Sequence, residues 1–105
     1  MDPNAIDTQL TLVLPAALEE QVIDLLLSHP DLAWGFTAQT VAGRGADVKF
    51  EGVAEHVRGR AGRVEIQLVL PRAHADALLA LIGAQYANTG IFYWMTPVIR
   101  SGRIT

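Results

Sequence analysis

The sequence predicts an α+β domain of ferredoxin-like βαββαβ plan: an antiparallel four-stranded sheet with two helices on one face. Three observations predict it. The tetrapeptide Leu12-Val13-Leu14-Pro15 returns as Leu68-Val69-Leu70-Pro71, an offset of 56 residues. The same offset aligns Leu10 with Ile66, Ala17 with Ala73, Val22 with Leu78, Ile23 with Leu79, Leu25 with Leu81, Leu26 with Ile82 and Phe36 with Phe92. Each copy alternates apolar and polar residues, stops at a proline and passes into apolar spacing of helical period. A strand running into a helix thus occurs twice, each time followed by another strand pattern.

In chain order, residues 1–7 read as a loose leader. The first strand, 8–14, places Leu10, Leu12 and Leu14 on one face and Thr11 and Val13 on the other. Pro15 suits a helix start, where its missing N–H has no intrahelical partner to lose. The first helix, about 16–28, sets Leu18, Val22, Leu25 and Leu26 on one stripe, and Glu19 and Glu20 complement the dipole at its start. The step His29-Pro30 ends it, because the residue before proline is pushed out of helical geometry.

The second strand is expected from Trp34 to Ala42 and the third from Arg63 to Leu70, where Ile66, Leu68 and Leu70 repeat the inward face of the first. The second helix, about 72–86, is expected to bury Ala75, Leu78, Leu79, Ile82 and Tyr86. Asn88-Thr89-Gly90 makes a turn. The fourth strand, Ile91 to about Val98, is apolar on both faces. With both helices on one side, the other side of the sheet carries Val13, Val69, Val41 and part of the aromatic fourth strand. Burying each such side chain is worth roughly 1.5–3 kcal/mol. Several left exposed together mark an interaction surface. The expected cover is other copies of the same chain.

The 105 residues suffice for one domain with a modest core, and the apolar content of 50% excludes a disordered chain. The apolar runs are too short and too broken for a membrane span. The start Met1-Asp2-Pro3-Asn4 has neither the basic residues nor the apolar block of a secretory signal, so the expected location is cytoplasmic. With no cysteine there is no thiolate metal site or redox pair. The net charge of −3 hides an asymmetry. Residues 44–63 hold five basic side chains (Arg44, Lys49, Arg58, Arg60, Arg63) against three acids, a balance of +2, and the remainder carries −5. A basic loop on an acidic body favours a small anion or an acidic partner and disfavours nucleic acid.

That loop, expected over 43–63, is far longer than a hairpin turn, and loops of such length are usually functional or disordered. Around it the sequence resembles the PII signal-transduction superfamily. Gly35-Phe36-Thr37 and Val41-Ala42-Gly43-Arg44-Gly45 look like its second strand and the Gly-x-Gly that opens its T-loop. The stretch from Arg63 to Pro71 looks like its third strand, Gly90-Ile91-Phe92 and Pro97-Val98 like its fourth, and Ile99 to Arg103 like its C-terminal basic stretch. More narrowly, the chain resembles short PII-like proteins encoded beside RND-type heavy-metal efflux pumps. Leu12 to Glu20, Gly35-Phe36-Thr37, Val57-Arg58-Gly59-Arg60 and the ending from Tyr93-Trp94 to Arg103 carry that match.

The resemblance implies a homotrimer with projecting T-loops, ligand clefts between subunits, and a role in sensing or regulating metal export, with an efflux transporter as partner. It nominates Gly43, Arg44, Gly45, Arg58, Arg60, Arg100 and Arg103 as ligand-binding residues. Arg44 with the backbone N–H groups of Gly43 and Gly45 suits a phosphate or other anion. The chain departs from the family pattern in three places. Ala46-Asp47 stand where signalling PII proteins have a nucleotide-contacting Arg-Gln pair, residues 43–63 hold no tyrosine to modify, and the glycine-rich segment is cut to Asn88-Thr89-Gly90. An adenine nucleotide, another small anion and a divalent metal all remain open as ligand.

Other chemistry is weaker. His56 with Glu55 and Glu51 is the best metal-ligating cluster, set against a solvated loop histidine. His29 and His74 read as structural or surface residues. Ser28 adjoins His29, but neighbouring residues on a helix diverge and make no nucleophile–base pair, so no enzyme is expected. Trp34, Tyr93 and Trp94 read as core or interface. Two further functions stand as alternatives: a metal-binding protein like the trimeric copper-tolerance proteins of similar fold, and a small dimeric ferredoxin-like enzyme of the monooxygenase type.

Overall fold

The computed structural model describes residues 2–43 and 61–105. Strand β1 spans Thr8–Pro15, a 3-10 turn Ala16–Leu18, helix α1 Glu19–Leu27, β2 Thr37–Gly43, β3 Ala61–Leu70, α2 Arg72–Tyr86 and β4 Phe92–Pro97. The sheet order is β2-β3-β1-β4, and every neighbouring pair is antiparallel. The predicted ferredoxin-like α+β plan is therefore the observed one.

The repeated segments become the two central strands. Leu10, Leu12 and Leu14 stand opposite Leu68, Ile66 and Val64, and all six are buried. Period-two alternation puts these six on one face, where they meet Val22, Leu25 and Leu26 of α1 and Ala75, Leu78 and Ile82 of α2 in a single core. Leu79 and Tyr86, expected to be buried, sit partly buried at its margin, as does Leu18 of the first helix's apolar stripe. Each proline holds extended geometry, with ψ of 139° at Pro15 and 145° at Pro71, and so closes a strand as the next turn opens.

Three boundaries differ from expectation. The helix predicted from residue 16 begins with a 3-10 turn and becomes α-helical at Glu19. Strand β2 starts at Thr37 rather than Trp34. Trp34 instead donates its indole N–H to the Asp31 carbonyl at 3.0 Å and sets its ring edge-on to His74, centroids 5.1 Å apart. Strands β2 and β3 run to Gly43 and from Ala61, so both ends of the segment expected as loop 43–63 are strand. The connection 44–60 lies outside the described residues. At the α2–β4 turn, Asn88 (φ 62°) and Gly90 (φ 90°) take left-handed backbone geometry, which short polar side chains and glycine tolerate.

Candidate functional site

The sheet face opposite the helices is built from the alternate positions of all four strands. Register places Gln39, Glu65, Val13 and Phe92 in one row across it, and Thr37, Gln67, Thr11 and Trp94 in the next. The apolar part lies toward β4, where Phe92 is 66% and Trp94 41% exposed. Their rings sit 6.1 Å apart as a tilted pair. Val69, 44% exposed, is a second apolar spot near the end of β3.

Between the apolar zones runs a polar band that the expectation of a greasy face did not include. The Glu65 carboxylate accepts hydrogen bonds from the Gln39 side-chain amide at 2.8 Å and from that of Gln67 at 3.3 Å. Arg63, opposite Val41, is buried at 6% exposure near the root of the 44–60 connection. The signal for this band was the alternation Arg63, Glu65, Gln67 on β3. Its partner Gln39 depended on the β2–β3 register, which no sequence motif sets.

Two depressions open on this face. One, of about 550 Å³, is lined by Ile6, Trp34, Phe36, Gln67 and Val69 among others. A second, of about 190 Å³, is lined by Thr37, Ala38, Gln39, Glu65 and Gln67. They share Thr37 and Gln67 and so form one trough along β2 and β3, apolar at one end and acidic at the other.

Of the expected ligand residues, Gly43 ends β2, while Arg100 and Arg103 are exposed in the segment after β4. Arg44, Gly45, Arg58 and Arg60 lie outside the described residues, as do the metal candidates Glu51, Glu55 and His56. Gly43 pairs with Ala61 at one end of β3. The C-terminal segment leaves β4 at Pro97, which pairs with Thr8, itself opposite Leu70 at the other end. At roughly 3.3 Å per residue, about 30 Å separates the two levels. Within one chain the loop root and the point where the C-terminal segment leaves the sheet therefore stand at opposite ends.

Three side-chain readings change. Ser28 and His29 do meet, with Oγ 3.0 Å from Nδ1. Ser28 is the C-cap of α1, so the chain turns there and the divergence of helix neighbours no longer applies. Both groups are engaged with the Leu25 carbonyl, the Ser28 hydroxyl donating to it at 2.7 Å and His29 Nδ1 lying 2.9 Å from it. They finish a helix rather than activate a nucleophile. Of the expectation that Trp34, Tyr93 and Trp94 are core or interface, only the core half changes: they are 41–50% exposed. The cause is position: Tyr93 and Trp94 sit on an edge strand, and Trp34 precedes one. His74 Nδ1 is buried without a hydrogen-bond partner, and no group of three metal-ligating side chains occurs among the described residues.

No helix among the described residues is long and apolar enough to cross a membrane. The sequence profile of a family described as "Protein of unknown function (DUF3240)" matches residues 5–105. No curated protein matches at a significant level. Among solved structures, a DUF3240 family protein from Shewanella baltica OS155 superposes with a TM-score of 0.75 at 18% identity, covering 96% of this chain and 99% of its own. CPII, a nitrogen regulatory PII-like protein from Thiomonas intermedia K12 bound to ADP, AMP and bicarbonate, gives 0.69 at 18% identity, over 94% and 96% of the two chains. A putative PII-like signalling protein from Thermus thermophilus gives 0.60 at 15% identity, over 88% and 85%. At these identities the likeness is one of fold.

Proposed function

The chain belongs to the DUF3240 family, and from that premise we propose that it is a non-catalytic PII-like regulator, assembling as a homotrimer and reading a small ligand between subunits. The exposed aromatic and aliphatic surface of the open sheet face carries this reading. Phe92 with Trp94 forms one apolar zone and Val69 a second, and contact with the neighbouring copies of a ring covers them, at roughly 1.5–3 kcal/mol for each side chain taken fully out of water. The likeness to a fold that holds ADP, AMP and bicarbonate in a PII-like protein supports an anionic ligand. So does the concentration of basic residues in 44–63 on an otherwise acidic chain. The engagement of Ser28 and His29 with the Leu25 carbonyl leaves the best nucleophile–base candidate committed to a structural role. The biological setting we assign is heavy-metal efflux in the cytoplasm, following the sequence resemblance, with the transporter as protein partner.

Calorimetric titration with ATP, ADP, AMP, bicarbonate and divalent zinc and copper tests the ligand. Saturable binding of an anion, lost in the Arg100→Gln/Arg103→Gln variant, is the expected result. Silence toward every anion overturns the ligand-reading function, and binding of metal alone shifts it to metal sensing.

A further inference from the structure

His74 lies in the first turn of α2, where its backbone N–H donates to the Pro71 carbonyl at 3.0 Å. Its imidazole Nδ1 is buried without a hydrogen-bond partner, and its ring meets the Trp34 indole edge-on, centroids 5.1 Å apart. Buried polar atoms ordinarily find partners, so this ring is placed for packing rather than for hydrogen bonding. The neutral imidazole tolerates that position. With its proton on Nε2, Nδ1 is a bare acceptor and carries no hydrogen. On its other side the indole is tethered by its N–H to the Asp31 carbonyl at 3.0 Å, and it lines the depression of about 550 Å³ on the open face. The ring pair therefore joins the start of α2 to the wall of the trough.

A second proton has one place to go, Nδ1. There it becomes a buried donor with no acceptor. The ring also becomes a cation in the first helical turn, where the free backbone N–H groups already present positive partial charge. The charged groups around this corner do not decide the matter. They are Arg72 and Asp76 on α2, Asp31 in the connection that carries Trp34, and Asp7, which accepts the Arg72 N–H from the start of β1. All four are exposed, so water screens both their repulsion and their attraction. The inward residues at the end of β3, Leu68 and Leu70, are apolar, and His29 after α1 is engaged with the Leu25 carbonyl. The neutral ring fits its place and the charged ring does not.

We propose that His74 and Trp34 form a proton-operated latch on the trough, packed while the imidazole is neutral and released when it is charged. Acidification then frees the indole and reshapes the apolar end that it forms with Ile6, Phe36 and Val69. Histidine is the side chain whose ordinary charge change falls between about pH 5 and 8, so a modest change in acidity sets the latch. The device lies within one chain and does not use the self-association proposed above. Failure of either leaves the other standing.

With Trp94→Phe the full-length chain keeps one indole, Trp34, and acrylamide quenching of its fluorescence reads the latch. Trp34 is 48% exposed when packed, so release is expected to raise quenching about twofold between about pH 8 and 5. His74→Phe in the same background keeps an aromatic ring and takes no proton. Its quenching is expected to stay flat at the packed value over the same range. No response in the chain that retains His74 overturns the proposal, and so does an equal response in His74→Phe. The first of these is the result if cation–π attraction holds the charged ring against the indole. Ring nitrogen chemical shifts of the unsubstituted protein give a second measurement that depends on no variant folding. A neutral His74 with its proton on Nε2 is expected at about pH 8, and a proton on Nδ1 there overturns the latch.

Discussion

The Asp7 carboxylate accepts the backbone N–H of Arg72, 65 residues further along, at 3.0 Å. Arg72 is the first residue of α2, and its N-cap, Pro71, offers no side-chain hydrogen bond. Asp7 supplies that bond from the start of the neighbouring strand, and it also accepts the Thr8 hydroxyl at 3.0 Å. Its own carbonyl meets the Val98 N–H, so one residue pins the start of β1, the start of α2 and the exit of β4. Loss of an N-cap side chain costs about 0.5–2 kcal/mol. Asp7→Ala is expected to lower unfolding free energy by that much in urea titration, and Asp7→Asn, which keeps an acceptor oxygen, by clearly less.

The two faces of the sheet respond to substitution in opposite ways. Leu12 is fully buried, and Leu12→Ala is expected to cost about 2–5 kcal/mol through lost packing and the cavity left behind. Phe92 is 66% exposed. Phe92→Ser changes the stability of a single chain by less than about 0.5 kcal/mol while weakening self-association. Denaturation measured over a range of protein concentrations separates the two effects, because stability linked to assembly depends on concentration.

Gly90 holds φ at 90°, and a Cβ built there lies 3.6 Å from the Pro15 ring. Space is sufficient, so the cost of Gly90→Ala is backbone strain, about 1–2 kcal/mol. Chemical denaturation checks it. Ala at Gly83, a helical position with open space around its Cβ, is expected to stabilise by about 0.4–1 kcal/mol in the same assay.

Much of the fold was legible because the residues that build it act locally. Pro71 and the apolar period after it fix α2 at 72–86, and the leucine alternation fixes the buried face of β1 and β3. The errors fall where a long-range partner decides. Trp34-Gly35-Phe36 has the pattern of a strand, yet Trp34 is taken by Asp31 and His74 before β2 begins. Ser28 and His29 read as diverging helix neighbours, although the helix was expected to end there; the Leu25 carbonyl that both engage draws them together. The Gln39–Glu65 bond spans 26 residues and the Asp7–Arg72 bond 65; both depend on register and topology that no single motif encodes. As for the candidate site, the sequence pointed to a basic loop and a basic C-terminal stretch. It did not reveal that the roots of the two, at Gly43–Ala61 and at Pro97, stand at opposite ends of the sheet.

Sedimentation velocity on the purified full-length chain, at micromolar concentration and near-physiological salt, tests the central claim most directly. Three chains in one particle, dissociated by Phe92→Ser/Trp94→Ser with circular dichroism unchanged, is the predicted result. A folded particle of one chain, unchanged by those substitutions, contradicts it.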